Sequence, residues 1–294
     1  MTVRAGTPLT VLEDVLRGAG QYLPFEPPHF GPGATIGGTL ACGLSGPGRA
    51  QAGAARDFVL GVQLLNGQGQ ILRFGGQVMK NVAGYDVSRL LVGSLGTLGV
   101  LLEVVLKVLP YPRASMTLRL ELDAAGAIRF CSRLAAQPLP VSATCHDGET
   151  LFVRLSGNGS AVRAAMARIG GDSLEDQDAS ALWQSIREQE HPFFAGGELL
   201  WRLSLPPAVP PLLQEHPGLV EWGGAQRWLR GNPGVKEIQE VAATHGGHAV
   251  LFRGDPDGMH FQPLSPVSLR LHQRLKAAFD PRGILNPGRM YTDF

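Results

Sequence analysis

The chain has 294 residues and a mass of 31.3 kDa, with 44% hydrophobic residues, 17% charged residues and a formal net charge of +1. This composition is that of a globular protein, and the lack of a basic cluster interleaved with aromatic residues argues against nucleic-acid binding. The 3 cysteines lie far apart without a Cys-x-x-Cys pair, which argues against a disulfide framework or a four-cysteine cluster and favours a reducing, cytoplasmic setting. The sequence carries no signal-peptide pattern and no apolar run long enough to span a bilayer. We therefore expect any membrane association to go through a partner.

The N-terminal region predicts a strand followed by a helix. Thr2–Ala5 has the pattern of a strand, and Thr7 followed by Pro8 is a typical helix start with Thr7 as the cap. Leucine and valine then recur at helical spacing, and Gly18 and Gly20 close the helix.

The glycine-rich segment from Phe30 to Asp57 is the most informative part of the sequence. It has almost no bulky side chains, so it cannot form a core, and its glycines let a backbone lie against a ligand. Successive amides in such a segment can hold an anion, typically a phosphate, although a long flexible loop has the same composition. Residues 35–39 predict an ordered turn beside a strand. The chain contains neither a P-loop nor a strand–Gly-x-Gly-x-x-Gly–helix unit, so a P-loop or Rossmann site is not expected.

Strands predominate after this segment. Phe58–Leu65 and Gln70–Phe74 flank Asn66-Gly67, which indicates a hairpin. Asp86–Val92 predicts a short helix, and Thr97–Leu109 predicts one long buried strand that ends before a proline.

From Ala114 the pattern changes to strands separated by helices, in two successive sets. The second set includes a predicted helix at Pro210–Glu215. This pattern indicates a pair of ferredoxin-like units that share one sheet, and hence an α+β fold. Pro266–Phe279 follows as an amphipathic helix. Its apolar positions are Val267, Leu269, Leu271, Leu275 and Phe279, set against Arg270, Arg274 and Lys276.

Three blocks of the sequence together resemble a known protein family. They are residues 34–57, residues 84–100 and residues 279–290. In combination they are similar to the vanillyl-alcohol-oxidase family of flavoproteins, whose FAD-binding domain is of the PCMH type. Residues 25–30 and 75–86 further resemble the flavin subunits of bacterial glycolate oxidases.

The resemblance implies three regions: a PCMH-type FAD-binding domain at 1–112, an α+β cap domain at 113–262, and a C-terminal helix and tail at 263–294 that returns to the flavin. The implied cofactor is FAD, and the implied activity is oxidation of glycolate or another 2-hydroxy acid by a complex. The implied partners are a larger flavin subunit and an iron–sulfur subunit that passes electrons toward membrane quinone. Such a complex would be cytoplasmic or peripheral at the inner face of the membrane.

The resemblance also assigns the flavin contacts. Main-chain amides of residues 36–39 would line the pyrophosphate and flavin ring, Val100 would meet the adenine, and Asn286 would lie near the flavin ring. The residues implied in cofactor binding are Thr35, Ile36, Gly37, Gly38, Thr39, Ser45, Gly46, Gly53, Val100 and Asn286. No catalytic residue and no metal site is implied for this chain.

The chain also departs from the pattern of the family. There a further segment with a second glycine-rich loop precedes the first strand, and we expect that loop to be absent here. A diphosphate held by one loop of two loses about half of its charge-assisted hydrogen bonds, each worth roughly 1.5–3 kcal/mol. Two alternatives therefore stay open: a structural subunit with a relic FAD fold that no longer binds flavin, and a stand-alone flavin dehydrogenase.

Other candidate side chains have simpler structural interpretations. The His-Gly-Gly-His run at 245–248 could be half of a metal site, but its glycines are typical of a helix C-cap. Asp86 beside Tyr85 could act in acid–base chemistry, but it is also well placed to cap the following helix. Leu95 stands where related catalytic proteins carry a glutamate, which weakens a catalytic role. Basic residues that could balance a diphosphate, or lie solvated at the surface, are Arg49, Arg56, Lys80 and Arg89. The tryptophans predicted as core or interface anchors are Trp183, Trp201, Trp222 and Trp228.

Overall fold

In the computed structural model, the chain divides into two units. The model describes residues 1–76, 84–254 and 261–292. The first unit contains Met1–Gly46, Gly53–Tyr111 and the chain from Pro263 onward, and the second contains Pro47–Ala52 and Pro112–Gln262. The short segment Pro47–Ala52 thus belongs to the second unit, whereas the sequence analysis placed it in the domain at 1–112.

An antiparallel sheet organises the first unit. Its strands are β1 (Thr2–Arg4), β3 (Val59–Leu65), β4 (Ile71–Gly75) and β5 (Val100–Leu106). They are paired in the order β1-β5-β3-β4. A separate two-stranded ladder joins β2 (Gln21–Tyr22) to β6 (Leu109–Pro110).

Helices pack with this sheet around the core of the first unit. They are α1 (Leu9–Gly18), α2 (Ile36–Cys42), α4 (Val87–Leu90) and α9 (Pro266–Phe279), whereas α3 (Arg49–Ala52) lies in the second unit. Leu9, Leu12 and Leu16 of α1 are buried at the spacing of one helix face. α1 begins one residue later than predicted, with Pro8 at the cap position. Thr7 therefore lies one residue before the cap position and does not cap the helix with its side chain; its carbonyl accepts the Ile36 amide at 3.0 Å.

Three predicted elements of the first unit need correction. Residues 35–39 form the start of a helix, α2, and not a turn beside a strand. Phe58 ends a 3₁₀ turn, so the following strand begins at Val59. The predicted strand 97–109 is divided into β5 and β6, because its C-terminal end pairs with β2 and not with β3.

The predicted hairpin is confirmed, with a loop longer than Asn66-Gly67. Five residues separate the strands. Within this loop, the side-chain oxygen of Asn66 accepts the amides of Gln68 and Gln70 at 3.0 and 2.9 Å. The Gly67 amide donates to the carbonyl of Phe279 at 2.9 Å. A Cβ at Gly67 would lie 2.8 Å from the Cα of Asp280, so the loop can meet the end of α9 only with glycine there.

The buried side of α9 differs from its predicted apolar side. Val267 and Leu271 are 59% and 55% exposed, whereas Lys276 is only 6% exposed. Leu275 and Phe279 do pack against the core of the first unit, as expected. The assignment of Lys276 to the polar side is therefore wrong, because its ammonium group finds acceptors inside the protein.

The second unit repeats one arrangement of strands. Its first half contains β7 (Ala114–Glu121), α5 (Ala124–Ala135), β8 (Val141–His146), β9 (Thr150–Gly157), α6 (Gly159–Ile169) and β10 (Asp172–Ser173). After α7 (Asp176–Glu188) come β11 (Leu200–Ser204), β12 (Gly218–Glu221), β13 (Gln226–Arg230), α8 (Val235–Thr244) and β14 (His248–Arg253). The sheet order, β10-β7-β9-β8-β12-β13-β11-β14, places two ferredoxin-like halves edge to edge through β8 and β12. The predicted pair of units sharing one sheet is confirmed.

The two halves differ between β11 and β12. The helix predicted at Pro210–Glu215 is wrong: residues 210–213 are irregular and residues 214–215 form a turn, and the carbonyls of Val209 and Pro210, which would accept the first amides of a helix, bind Arg227. Arg227 holds this irregular segment in place. Its guanidinium group donates to the carbonyls of Val209 and Pro210 and to that of Gly224. Burial lowers the pKa of Arg227 to about 10.

Buried aromatic and polar groups hold the middle of the second sheet. The four tryptophans predicted as anchors are all buried. Glu221 is 3% exposed, and one of its carboxylate oxygens accepts Trp228 Nε1 at 2.6 Å and Gln226 Nε2 at 2.9 Å. Both donors would lose a partner without this carboxylate, so Glu221 sets the packing between β12 and β13.

We expect Glu221→Ala to lower the free energy of unfolding by about 2–4 kcal/mol, because it leaves two buried donors unsatisfied. Urea titration followed by tryptophan fluorescence measures the loss. Glu121→Ala, at the exposed end of β7, is the matched control and should change stability by less than about 0.5 kcal/mol. Equal losses in the two variants would contradict this role for Glu221.

Candidate functional site

The turn at residues 93–97 is where the three blocks of sequence meet. Carbonyl groups at the C-terminal end of α2 accept two amides of this turn: Leu40 binds Gly93 at 2.9 Å and Ala41 binds Leu95 at 2.8 Å. Gly43 ends α2 in the left-handed conformation, and a Cβ there would lie 2.9 Å from the Cα of Gly93. The glycine-rich block and the second block are therefore joined by backbone contacts that a larger residue would prevent.

The C-terminal block closes on the same turn. Asn286 Nδ2 donates to the carbonyl of Leu95 at 2.7 Å, and a Cβ at Gly96 would lie 2.9 Å from that nitrogen. Leu95 and Asn286 have φ values of 52° and 43°, in a region that non-glycine residues rarely adopt. Such conformations cost about 1–3 kcal/mol each and are concentrated at functional sites. The predicted flavin residue Asn286 is thus held in a strained contact by its surroundings.

Lys276 fixes the C-terminal block to this turn. Its ammonium group donates to the carbonyl of Thr97 at 2.9 Å, to the carboxylate of Asp280 at 2.8 Å and to the carbonyl of Leu285 at 2.5 Å. The same carboxylate oxygen accepts the Leu285 amide at 2.7 Å. The residue that precedes Asn286 is therefore tied through both its backbone groups.

The charge of Asp280 is stabilised by its donors. Burial alone would raise the pKa of this carboxyl group, but hydrogen bonds from Lys276 and from the amides of Leu285 and Ile284 outweigh burial and lower the pKa. Asp280 is 2% exposed, so the pair with Lys276 is an internal one. The sequence analysis did not identify Lys276 and Asp280 as an ion pair. Their spacing of four residues at the end of a predicted helix is the pattern that indicates such a pair.

The N-terminal end of α2 carries the residues predicted to contact the diphosphate. Three of the four predicted amide donors bind backbone carbonyls: Ile36 to Thr7, Gly37 to Ala5 and Thr39 to Thr35, at 3.0, 2.8 and 2.9 Å. The fourth, the Gly38 amide, donates to the Thr35 hydroxyl at 3.2 Å. The expectation that all four amides are available to an anion is therefore corrected: only the Gly38 amide has a partner that can rotate away.

Gly37 and Gly38 are glycine for different reasons. A Cβ at Gly37 would lie 2.7 Å from the Cβ of Ala5, so this glycine lets α2 approach the end of β1. Gly38 is exposed, and a Cβ there would meet only the Thr35 hydroxyl, at 3.3 Å. Gly38 is thus the point on α2 where a flat ligand could lie against bare backbone.

The remaining predicted residues lie apart from α2 along the chain, and their cofactor roles stay predictions. Ser45 Oγ accepts the Ala55 amide at 3.0 Å, and the Gly46 amide donates to Phe25 at 2.9 Å. Gly53 has a φ of 114°, which favours glycine. Val100 begins β5 and is 50% exposed.

Other candidates from the sequence have structural roles. The side chain of Asp86 accepts the Arg89 amide and caps α4, which supports the structural interpretation over acid–base chemistry. His245 Nδ1 lies 2.9 Å from the carbonyl of Val241, and Gly246, two residues after the end of α8, has a φ of 76°. These contacts are those of a helix C-terminus. Within the described ranges, no group of three or more His, Cys, Asp and Glu side chains is arranged to hold a metal. Lys80 lies outside the described residues.

We expect Lys276→Met to lower the free energy of unfolding by about 3–5 kcal/mol, because Asp280 would keep a buried charge without its partner. Chemical denaturation monitored by circular dichroism gives the value. Arg274→Met is the matched control on the exposed side of the same helix and should have little effect. A loss no larger than that of the control would show that Lys276 does not hold the block.

The lowered pKa of Asp280 predicts a pH dependence. A carboxyl group with a lowered pKa in the folded state contributes stability above its ordinary value of 3.8, and this contribution is lost as pH falls through the lowered value. Between about pH 6 and about pH 3, the wild type should therefore lose more free energy of unfolding than Asp280→Asn. Urea unfolding across this range tests it, with exposed Asp14→Asn as the control. Parallel curves for the wild type and Asp280→Asn would overturn the assignment.

Two family models match: "FAD binding domain" over residues 1–75 and "FAD linked oxidases, C-terminal domain" over residues 261–290. Among solved structures, alkyldihydroxyacetonephosphate synthase has a TM-score of 0.64 at 14% identity, covering 97% of this chain and 64% of that chain. This likeness shows the fold alone, and together with the match to the FAD-binding domain model it confirms the predicted α+β fold.

Two curated relatives are informative. The chain is 34% identical over 155 residues to "Glycolate oxidase subunit GlcD" of Bacillus subtilis (strain 168), which is 52% of this chain and 33% of that protein. It is 48% identical over 295 aligned residues to "Glycolate oxidase subunit GlcE" of Escherichia coli (strain K12), which is 100% of this chain and 82% of that protein. The predicted cofactor, FAD, is confirmed by these matches. The chain belongs to the family of GlcE, among the FAD-linked oxidases.

Proposed function

We propose that this protein is the FAD-binding subunit of a complex that oxidises glycolate, or a related 2-hydroxy acid, to the 2-oxo acid. The observation that carries the proposal is the 48% identity to GlcE along the whole chain. The meeting of the three blocks at residues 93–97 supports it, because the segments that resemble flavoproteins share one place in the fold.

FAD, when bound, supplies an acceptor for the two electrons that leave C2 of a 2-hydroxy acid as hydride, while the hydroxyl proton goes to a base. The described site residues include no side chain placed as that base. Leu95 occupies the strained turn and offers only backbone groups. We therefore assign the oxidation of substrate to a larger flavin subunit, and to this chain a supporting flavin site within the same complex.

Residues at both ends of α2 would hold the flavin. Gly38 offers an exposed backbone and an amide with a replaceable partner, whereas Asn286 offers a fixed amide group at the 93–97 turn. The other predicted contacts would complete the site. They are Thr35, Ile36, Gly37, Thr39, Ser45, Gly46, Gly53 and Val100. Ile36, Gly37 and Thr39 are buried and their amides bind backbone carbonyls, so their part in the site would be to position Gly38 within α2.

The proposed partners are the larger flavin subunit and an iron–sulfur subunit that carries electrons onward. The chain's low net charge of +1 and 44% hydrophobic content suit a subunit that covers surface in a complex. Among the described residues, no helix is both long and apolar enough to cross a membrane. Contact with the inner face of a membrane would then depend on the partners.

We expect Gly38→Leu to weaken FAD binding by about tenfold or more, equivalent to about 1.4 kcal/mol, while the fold keeps its stability. Leucine is a good helix former and its Cβ meets little at this position, so the side chain would block ligand without breaking α2. Flavin fluorescence quenching during titration of FAD measures affinity.

Gly33→Leu is the matched control, since a Cβ there meets nothing within 4 Å and the residue is exposed in the preceding loop. Equal affinity in Gly38→Leu and the wild type would remove Gly38 from the site. Wild-type protein that is purified colourless and ignores added FAD would favour a structural subunit with a relic fold.

A further inference from the structure

The exposed side of α9 carries apolar side chains that the fold leaves uncovered. Val267 and Leu271, about one helical turn apart, are 59% and 55% exposed. The buried side of the same helix includes Lys276, which is only 6% exposed. At these three positions the helix places a lysine inside and a valine and a leucine outside, which reverses the usual arrangement of an amphipathic helix.

The contacts of Lys276 fix the orientation of α9. Its ammonium group donates to three acceptors of the first unit, among them the carboxylate of Asp280. A rotation of the helix that buried Val267 or Leu271 would withdraw the ammonium group from these acceptors and leave the buried charge of Asp280 unpaired. The two apolar side chains are therefore held at the surface by the same interaction that holds the C-terminal block.

Two arginines lie between these apolar side chains. At 3.6 residues per turn, five exposed residues of α9 fall within an arc of about 100° around the helix axis. They are Val267, Arg270, Leu271, Arg274 and Ala278, and we call them the α9 stripe. Within residues 1–76, 84–254 and 261–292, neither guanidinium group of the stripe has an ion pair or a hydrogen bond.

Positive charge is concentrated in this part of the chain. Residues 263–292 contain four arginines and one lysine against one acidic residue, Asp280. Lys276 and Asp280 pair with each other inside the protein, at 2.8 Å, so the exposed charge comes from the four arginines, all of which are exposed. The whole chain has a formal net charge of only +1. Such a local excess of positive charge favours an acidic partner.

The composition of the stripe favours a protein partner over a lipid surface. The exposed cations of residues 263–292 are all arginine, and protein–protein interfaces are enriched in arginine and depleted in lysine. A helix that lies in a membrane surface buries a continuous apolar face, whereas apolar and cationic side chains alternate along this stripe. A guanidinium group can also donate two parallel hydrogen bonds to one carboxylate.

We propose that the α9 stripe is the surface through which this chain binds an acidic partner subunit, one that presents carboxylates beside an apolar patch. The carboxylates would pair with Arg270 and Arg274, and the apolar patch would cover Val267 and Leu271. This inference rests on the proposed function, because it names the surface through which the complex forms. The stripe lies wholly within the first unit.

Co-purification of the full chain with the larger flavin subunit and the iron–sulfur subunit of the same organism tests the proposal. We expect the double variant Arg270→Glu and Arg274→Glu to recover about tenfold less of the partner subunits than the wild type does, because two attractive charges become repulsive. The double variant Val267→Ser and Leu271→Ser should also weaken recovery. Neither variant should lower Tm appreciably, since all four side chains are exposed.

The double variant Arg129→Glu and Arg133→Glu is the matched control. These two arginines are also exposed and four residues apart on a helix, α5, and we expect their variant to recover the partner subunits as the wild type does. Arginine modification gives a second measurement. In the assembled complex, phenylglyoxal should modify Arg129 and Arg133 but spare Arg270 and Arg274, as read by peptide mass spectrometry.

The possible failures are distinguishable. Wild-type recovery by the Arg270→Glu and Arg274→Glu variant, or equal modification of the two arginines in the free chain and the complex, overturns the inference and leaves the proposed function intact. A wild type that recovers neither subunit contradicts the proposed function and the inference with it. Binding of the free chain to phosphatidylglycerol vesicles through these arginines, with complex formation unchanged in the variant, assigns the stripe to a membrane and also overturns the inference.

Discussion

The buried ammonium group of Lys276 is the interaction on which the candidate flavin site depends. It joins the turn at Thr97, the end of α9 at Asp280 and the tail at Leu285, which come from parts of the chain up to 188 residues apart. Each contact is a hydrogen bond from a charged donor in a largely buried region, where such bonds are strong and a missing partner is costly. The position of Asn286 follows from this, since Leu285 is held through both its amide and its carbonyl.

The site beside α2 is a more closed structure than its composition indicates. A glycine-rich stretch predicts exposed amides, but here glycine serves mostly for close packing of backbone against backbone, as at Gly37 and Gly43. The amides of Ile36, Gly37 and Thr39 are already paired, which satisfies the start of a short helix without any ligand. What is left for a cofactor is a narrow area of bare backbone at Gly38 and the fixed amide group of Asn286.

Local patterns explain why most elements could be predicted from the sequence. Alternation in β9 and the side-chain caps of α5 and α6 are encoded within a few residues of where they act. The errors arose where a distant group decided the outcome. Lys276 is buried because of Thr97 and Leu285, the chain near Pro210 is organised by Arg227, and the end of the 97–109 segment follows β2. Composition and spacing carry no information about such partners.

Because Pro47–Ala52 belongs to the second unit, the chain must cross between the two units several times as it folds. The polypeptide passes between the two units at residues 46/47, 52/53, 111/112 and 262/263, so neither unit is a continuous stretch of sequence. Bringing together the two ends of each inserted segment costs conformational entropy before the contacts around it form, and the segment Pro112–Gln262 is a long one. A fragment cut at the obvious boundary near Pro112 would separate Arg49 from Trp222 and leave the helix α9 without the hairpin loop at Gly67 that receives it. Fragments for expression should therefore be joined by short linkers across the gaps, because simple truncation removes a piece of each unit.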